Sequence, residues 1–434
     1  VTEPLPAALR AYRLLSTAVT PLAPLLLARR LARGKEHRER LGERRGESPI
    51  ARPPGPLVWV HGASVGEIAS VLPLVERLSA RDIGVLVTSG TITSSDLAEQ
   101  RLPRGVIHQF IPLDAPRFVR RFIAHWRPGL ALFVEQDLWP NLMMETAWRG
   151  VPLILVNGRL SEASFQRWRR LPDTIASLLQ RFDLCLARTP ADGARFSELG
   201  APRVLTSGNL KLDVPAPPAD AAELKLLQVA LHGRPAIAAA STHPGEEEAM
   251  LEAHKRLRAN FPRLLTLIAP RHPERGAGIA ALADAAGLKA ALRSRGEAPD
   301  AATEIYVADT VGELGLLYRL APIVFIGGSL IRHGGQNPIE AAKLGAAILH
   351  GPHVGNFAEI YAALDAAHGA EQVANAGRLT TIIGALLAQP QEVARIAAAA
   401  RATVESQSGA LERTLQSLEP YLTQLQLGER RAHA

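Results

Sequence analysis

Short apolar runs separated by stretches of helical periodicity set the rhythm of this chain. Residues 57–61, 84–89, 106–112, 130–134, 152–157 and 183–187 have the length and character of buried strands. Between them the period changes: in residues 67–79, Ile68, Val71, Leu72, Val75 and Leu78 fall on one helical face. Strands buried on both faces read as continuous apolar runs, so this alternation predicts an α/β fold with helices on both sides of a parallel sheet. The segment 214–219 (VPAPPA) interrupts the pattern as a linker does. It then restarts, with strands expected at 236–240, 264–269, 304–308, 323–327 and 346–350. At 434 residues the chain is too long for one ordinary core. Two doubly wound domains in tandem are predicted, 46–214 and 215–390. They are preceded by a distinct segment 1–45 and followed by a helical segment 391–434 that could cross back to the first domain. Ligands of such sheets sit beyond the carboxyl ends of the strands, which directs attention to the strand-to-helix turns.

The first 45 residues follow a different pattern. Residues 14–28 are mostly apolar, with Arg10 and Arg13 before them and Arg29, Arg30, Arg33 and Lys35 after. A full span needs about 20 apolar residues, and this run is shorter and contains Pro21 and Pro24. No small-residue cleavage site follows, which argues against a removed leader. A helix lying in or shallowly entering a bilayer, its arginines on the cytoplasmic side, is the expectation, with a single-pass span as the alternative. The net charge of +7 favours anionic partners without choosing among nucleotides, nucleic acid and phospholipid. One cysteine, Cys185, lies inside an apolar run and has no partner for an internal disulfide; it is expected to be a buried structural thiol in a reducing compartment.

Several turns carry residues suited to chemistry. In HGASVGE (61–67) the glycines permit close approach of backbone to a ligand, and Glu67 opens a helix. Glu67 is either favourable electrostatics at a helix start or a general base facing a cleft. The helix dipole would lower its pKa, so desolvation must push the other way for the second role. The turn 88–95, rich in Thr and Ser, is explained as a helix cap. EQDLWPN (135–141) brings Glu135 and Asp137 beside a Trp-Pro that redirects the chain, and it fits either a polar-ligand site or a simple turn. Lys211, just ahead of the linker, either clamps an anion or is a solvated surface lysine. In the second half, Arg271 and His272 follow a strand and are well typed for phosphate. Asp309 is expected to cap a helix. The glycine turns at 327–329 and 333–340 are expected to present free amides to a phosphate. No GxGxxG or GxxxxGK[ST] loop is present, and His243, His272 and His333 fall in different turns without metal-site spacing. These absences exclude the usual dinucleotide-binding dehydrogenase and the P-loop ATPase.

Taken in order, HGASVGE, EQDLWPN, NGRLS (157–161), SGNLKLD, STHPGEE, APRHPER, DTVGELG and GGQNPIEAA resemble the motifs of the 3-deoxy-D-manno-octulosonic acid (Kdo) transferase family. The resemblance runs from the basic N-terminal flank to about residue 357. It implies a GT-B fold, two Rossmann-like domains facing a central cleft, with acceptor on the first and CMP-sugar on the second. It further implies an inverting transfer of Kdo from CMP-Kdo to a lipid A precursor, without metal or other cofactor, at the cytoplasmic side of the inner membrane. The resemblance makes Glu67 the proton acceptor, with Glu135 and Lys211 stabilising the transition state. This chain reads EQD where the family usually reads ETE, so Asp137 is the alternative to Glu135. The CMP contacts carry over to Arg271 and His272, to Val311, Gly312 and Glu313, and to Asn337, Pro338, Ile339 and Glu340. Gln336 stands where a histidine is frequent. The competing readings are another GT-B enzyme acting on a UDP-sugar, separated by competition with CMP against UDP, and a basic coat protein of membranes or nucleic acid, which predicts salt-dependent binding to any polyanion.

Overall fold

The alternating apolar runs form two all-parallel sheets. The first contains β1 (Leu57–His61), β2 (Gly84–Ser89), β3 (Ile107–Phe110), β4 (Leu130–Val134), β5 (Leu153–Gly158), β6 (Leu184–Ala187) and β7 (Val204–Thr206), in the order β3-β2-β1-β4-β5-β6-β7. The second contains β8 (Ala236–Thr242), β9 (Leu265–Pro270), β10 (Ala290–Leu292), β11 (Ile305–Val307), β12 (Ile323–Ile326), β13 (Ala347–His350) and β14 (Ala370–Gln372), in the order β10-β11-β9-β8-β12-β13-β14. This computed structural model describes residues 4–432. It divides into one unit running to Val214 and resuming at Ser408, and a second spanning Pro215–Gln407.

Both faces of each sheet are covered, which is why the strands lack polar alternation. In β1, Leu57 and Trp59 join a cluster with Phe122, Trp126 and Phe133, whereas Val58 and Val60 join an opposite cluster with Ile68, Val71 and Leu78. Cys185 lies in the first cluster, and burial pushes its thiol up to about 12, as expected of a structural cysteine. Three strands escaped the sequence pattern: β7, β10 and β14. Each is three residues long, β7 is largely exposed and β14 contains Glu371 and Gln372. Short outer strands bury too little to need an apolar run.

The chain ends differ from the expected layout. Residues 391–434 do not act as one segment: the helix Pro390–Ser406 packs Val393 and Ile396 into the second core, whereas the helix Ala410–Ala432 packs Leu415, Leu418 and Leu422 into the first. Residues 1–45 are likewise no separate body. The helices Ala7–Ala18 and Ala23–Ala32 meet at a bend of 44°, at the turn Thr20–Leu22 that contains Pro21. Leu9 and Leu27 are buried, and polar anchors hold the pair down: Tyr12 donates to Asp114 at 2.9 Å, Arg13 pairs with Glu145 at 2.6 Å, and buried Asn141 donates to Ser16 at 2.9 Å. The outer face stays apolar, with Leu14 72% and Leu25 71% exposed. No single helix among the described residues is long and apolar enough to cross a membrane, although this bent pair passes together by length and composition. Part of the basic flank turns inward. Glu36, itself buried, binds Arg30 at 2.7 Å and Arg44 at 2.9 Å, and Arg44 donates to the carbonyls of Gly90 and Ile111.

Candidate active site

In the first sheet the strand order reverses between β1 and β4, and the turns after these two strands carry the candidate acids. Ser64 caps the helix Val65–Ser79 by accepting from the Glu67 N–H, and its hydroxyl donates to the Glu67 carboxylate at 2.8 Å. The other carboxylate oxygen accepts from the Ala63 N–H at 2.8 Å. Glu67 therefore does hold the start of its helix, tied to the cap residue Ser64 and to the amide before it, the plain role open to a glutamate there. Its electrostatics go further. Burial raises its pKa above the ordinary carboxylate value, the charge of Asp137 adds to this, and Glu135 contributes in the same direction; the hydrogen bonds from Ser64 and Ala63 only partly oppose them. Desolvation thus outweighs the helix start. Each carboxylate oxygen keeps a second lone pair for a substrate hydroxyl.

The other two carboxylates take different partners. Glu135, the first residue after β4, sits at φ 62°, a backbone conformation costly for a residue with a side chain and common at functional turns. Its carboxylate pairs with the Lys211 ammonium at 2.7 Å. Lys211 is fixed from below: its N–H is accepted by the Asn209 side chain, and the N–H of Leu210 by that of buried Asn157. Asp137 instead faces His61 Nε2 at 3.6 Å, where His61, at the end of β1, is fully buried with Nδ1 3.0 Å from the Thr88 hydroxyl. The structure separates the two candidates by role, Glu135 bound to the lysine and Asp137 bearing most strongly on Glu67. Beside this cluster lies an apolar groove of about 500 Å³ formed by Leu15, Val19, Leu22, Leu26, Phe118 and Trp139. A smaller cavity of about 180 Å³ adjoins Trp139 and Ala63, the residue whose amide binds Glu67. The Thr91 cap is confirmed, closed reciprocally with Ser94.

In the second sheet the order reverses at β8 and β12. Here the expectation of free amides fails. Glu246 is fully buried, and its carboxylate accepts from the N–H groups of His243, Gly328, Ser329 and Leu330 at 2.7–3.0 Å. The glycine turn at 327–329 holds a protein carboxylate, not a ligand phosphate. Gly327 is required by proximity: a Cβ there would lie 2.4 Å from the Ser241 carbonyl. Asp309 caps no helix; it accepts from the N–H and hydroxyl of Ser294. Glu313 is drawn off by Arg293 at 2.7 Å and by Thr310, and the arginine holds its pKa below the usual value. What the 311–313 turn offers a ligand is Val311, 84% exposed, and the backbone at Gly312. Asn337 accepts from the Ile339 N–H, so the five-residue helix Ile339–Lys343 presents Pro338 and Glu340 with that amide already used. Arg271 and His272, after β9, are exposed, and Arg271 has no carboxylate partner among the described residues. His243 and His333, separated in sequence, converge with ring centroids 4.0 Å apart, and His272 lies 6.1 Å from His243. Among the described residues no three His, Cys, Asp or Glu side chains are placed to hold a metal ion.

Residues 35–214 match the family model described as 3-deoxy-D-manno-octulosonic-acid transferase (kdotransferase). A probable mitochondrial 3-deoxy-D-manno-octulosonic acid transferase of Arabidopsis thaliana is 38% identical over 395 residues, 88% of each chain. The corresponding transferase of Haemophilus influenzae is 33% identical over 95% of this chain and 98% of its own. This chain belongs to the Kdo transferase family. It is a glycosyltransferase, and its two sheets have the GT-B arrangement of strands and helices. A glycosyltransferase of Rickettsia africae ESF-5, 12% identical, superposes over 85% of this chain and 99% of its own with a TM-score of 0.59, a likeness of fold. Sequence reasoning on this Kdo transferase missed His61, Glu246, His243 and His333. Each lies in a motif already noted, but the partners that give it meaning come from other strand ends.

Proposed function

We propose that this enzyme transfers Kdo from CMP-Kdo, with inversion, to a hydroxyl of a lipid A precursor (lipid IVA) in lipopolysaccharide biosynthesis. The observation that carries this reading is a half-buried glutamate of raised pKa, flanked by two further carboxylates and one lysine, beside an apolar groove. Glu67 accepts the proton of the acceptor hydroxyl as that oxygen attacks the anomeric carbon. Glu135 and Lys211 stabilise the charge that develops at the sugar, with Asp137 holding Glu67 basic. Arg271 and His272 take the phosphate of departing CMP, and the 311–313 and 337–340 turns take the remainder of the nucleotide. Fixed protein cations serve the leaving group, so no metal or cofactor is required. The groove at Leu22 and Trp139 receives acyl chains of the acceptor, and the exposed leucines of the first two helices rest at the cytoplasmic surface of the inner membrane.

Mass analysis of products formed from CMP-Kdo and a tetraacylated lipid A precursor tests the reaction and its acceptor together. A product heavier by Kdo, its formation suppressed by CMP and not by UDP, is expected. Transfer from a UDP-sugar would refute the reading.

A further inference from the structure

The second sheet carries a feature that phosphate recognition does not use. His243 follows β8 and His333 lies in the turn after β12, the two strands flanking the point where strand order reverses. Their rings lie 4.0 Å apart, inclined by 38°. Among the described residues, the carboxylates beside His243 are already committed. Glu246 is saturated by four backbone N–H groups, and Glu247 is bound by Arg275 and by the Thr242 hydroxyl. The remaining charged or titratable groups facing His243 are His333, His272 and Arg271, all cationic or able to become so. Gln336 completes the surroundings: its side-chain amide donates to His243 Nε2 at 3.3 Å, and its backbone carbonyl accepts from the Tyr361 hydroxyl at 2.8 Å. Two imidazoles therefore meet beside Arg271 and His272, and the carboxylates nearest them are Glu247, already held by Arg275, and Glu274, 3.7 Å from His272.

We infer that His243 and His333 form the receptor for the carboxylate of the donor sugar, next to a distinct phosphate subsite at Arg271 and His272. This rests on CMP-Kdo being the donor. An ulosonic acid carries its carboxylate and its glycosyl phosphate on the same anomeric carbon, so a site for one anion needs a site for the other a few ångströms away. The His243–His272 separation of 6.1 Å supplies two such neighbouring subsites. A UDP-aldose has no carboxylate at that carbon, so the imidazole pair selects the sugar class and Arg271 does not. Proton linkage follows. Burial first, then the neighbouring imidazoles, disfavours the imidazolium form of His243 in the free protein. A bound carboxylate favours the imidazolium, so donor binding takes up protons and strengthens as pH falls through the histidine range.

The test is calorimetric titration of CMP and of CMP-Kdo into the full-length chain, from pH 8.5 down to 5.5, in a Glu67→Gln background that does not consume the donor. His243→Asn and His333→Asn are each compared with that background; His333 is exposed, so its variant keeps the fold if the buried one does not. Each variant should weaken CMP-Kdo at least about tenfold, the scale of a hydrogen bond to a charged group. CMP should change by less than about twofold, and the pH dependence specific to CMP-Kdo should vanish. Equal losses for both ligands would reassign the pair to the phosphate, and no loss for either would leave it structural; each overturns the inference. Failure of CMP and CMP-Kdo alike to bind the unsubstituted histidine pair would overturn the donor reading itself.

Discussion

The two sheets are built alike and charged oppositely. Around the β1 and β4 turns the first gathers Glu67, Glu135 and Asp137 against one lysine and one buried histidine. At the matching turns after β8 and β12 the second gathers imidazoles beside Arg271, and its buried Glu246 is neutralised by backbone amides. The same topology therefore serves two tasks. Crowded, partly desolvated carboxylates raise the basicity of one of their number, which suits proton removal. Arg271, beside imidazoles able to take up a proton, suits a leaving group that departs negative. The fold sets where the turns are, and the sign of the side chains sets what each turn does.

Changing one charge at a time breaks this contrast. Glu67→Gln removes the proposed proton acceptor while keeping its shape; transfer should fall by about 10³-fold or more, with CMP affinity unchanged by calorimetry. Lys211→Met leaves Glu135 without its 2.7 Å partner, and kcat should drop by roughly 10²-fold with little change in the KM for donor. Glu246→Ala exposes the opposite logic, since four backbone amides lose their acceptor. The second unit should lose about 3 kcal/mol or more of stability in denaturant titration, and CMP binding should weaken with it. Asp137→Asn has the smallest effect and the most direct reading. Glu67 must be deprotonated to act, so activity declines as pH falls through its raised pKa. Removing the neighbouring negative charge lowers that pKa, and the acid limb of kcat/KM should move to lower pH. An unmoved limb would mean that Asp137 does not bear on the base.

The strand ends were legible because a strand buried on both faces must be apolar, and a turn that carries chemistry cannot be. That is why 57–61 and 130–134 were read to the residue, together with the acids that follow them. The edge strands β7, β10 and β14 were not, since three outer residues leave no periodicity to detect. The tension at Glu67 could be posed from sequence but not decided, because the answer depends first on burial and then on Asp137 arriving from another strand. Glu246 drew no reading of its own within the STHPGEE motif; its role exists only where three amides more than 80 residues away converge on it. The glycine turn misled for the same reason: sequence shows that amides are available and not what already occupies them.

The helix Ala410–Ala432 has a consequence for how the molecule is made. Because Leu415, Leu418 and Leu422 complete the core of the first unit, the second unit is in effect an insertion within the first. On the ribosome the acid-bearing sheet must wait, one apolar face incompletely covered, until the second unit and the helix Ala410–Ala432 have emerged. A stop placed just before residue 410 would therefore spare the second unit and damage the one translated first.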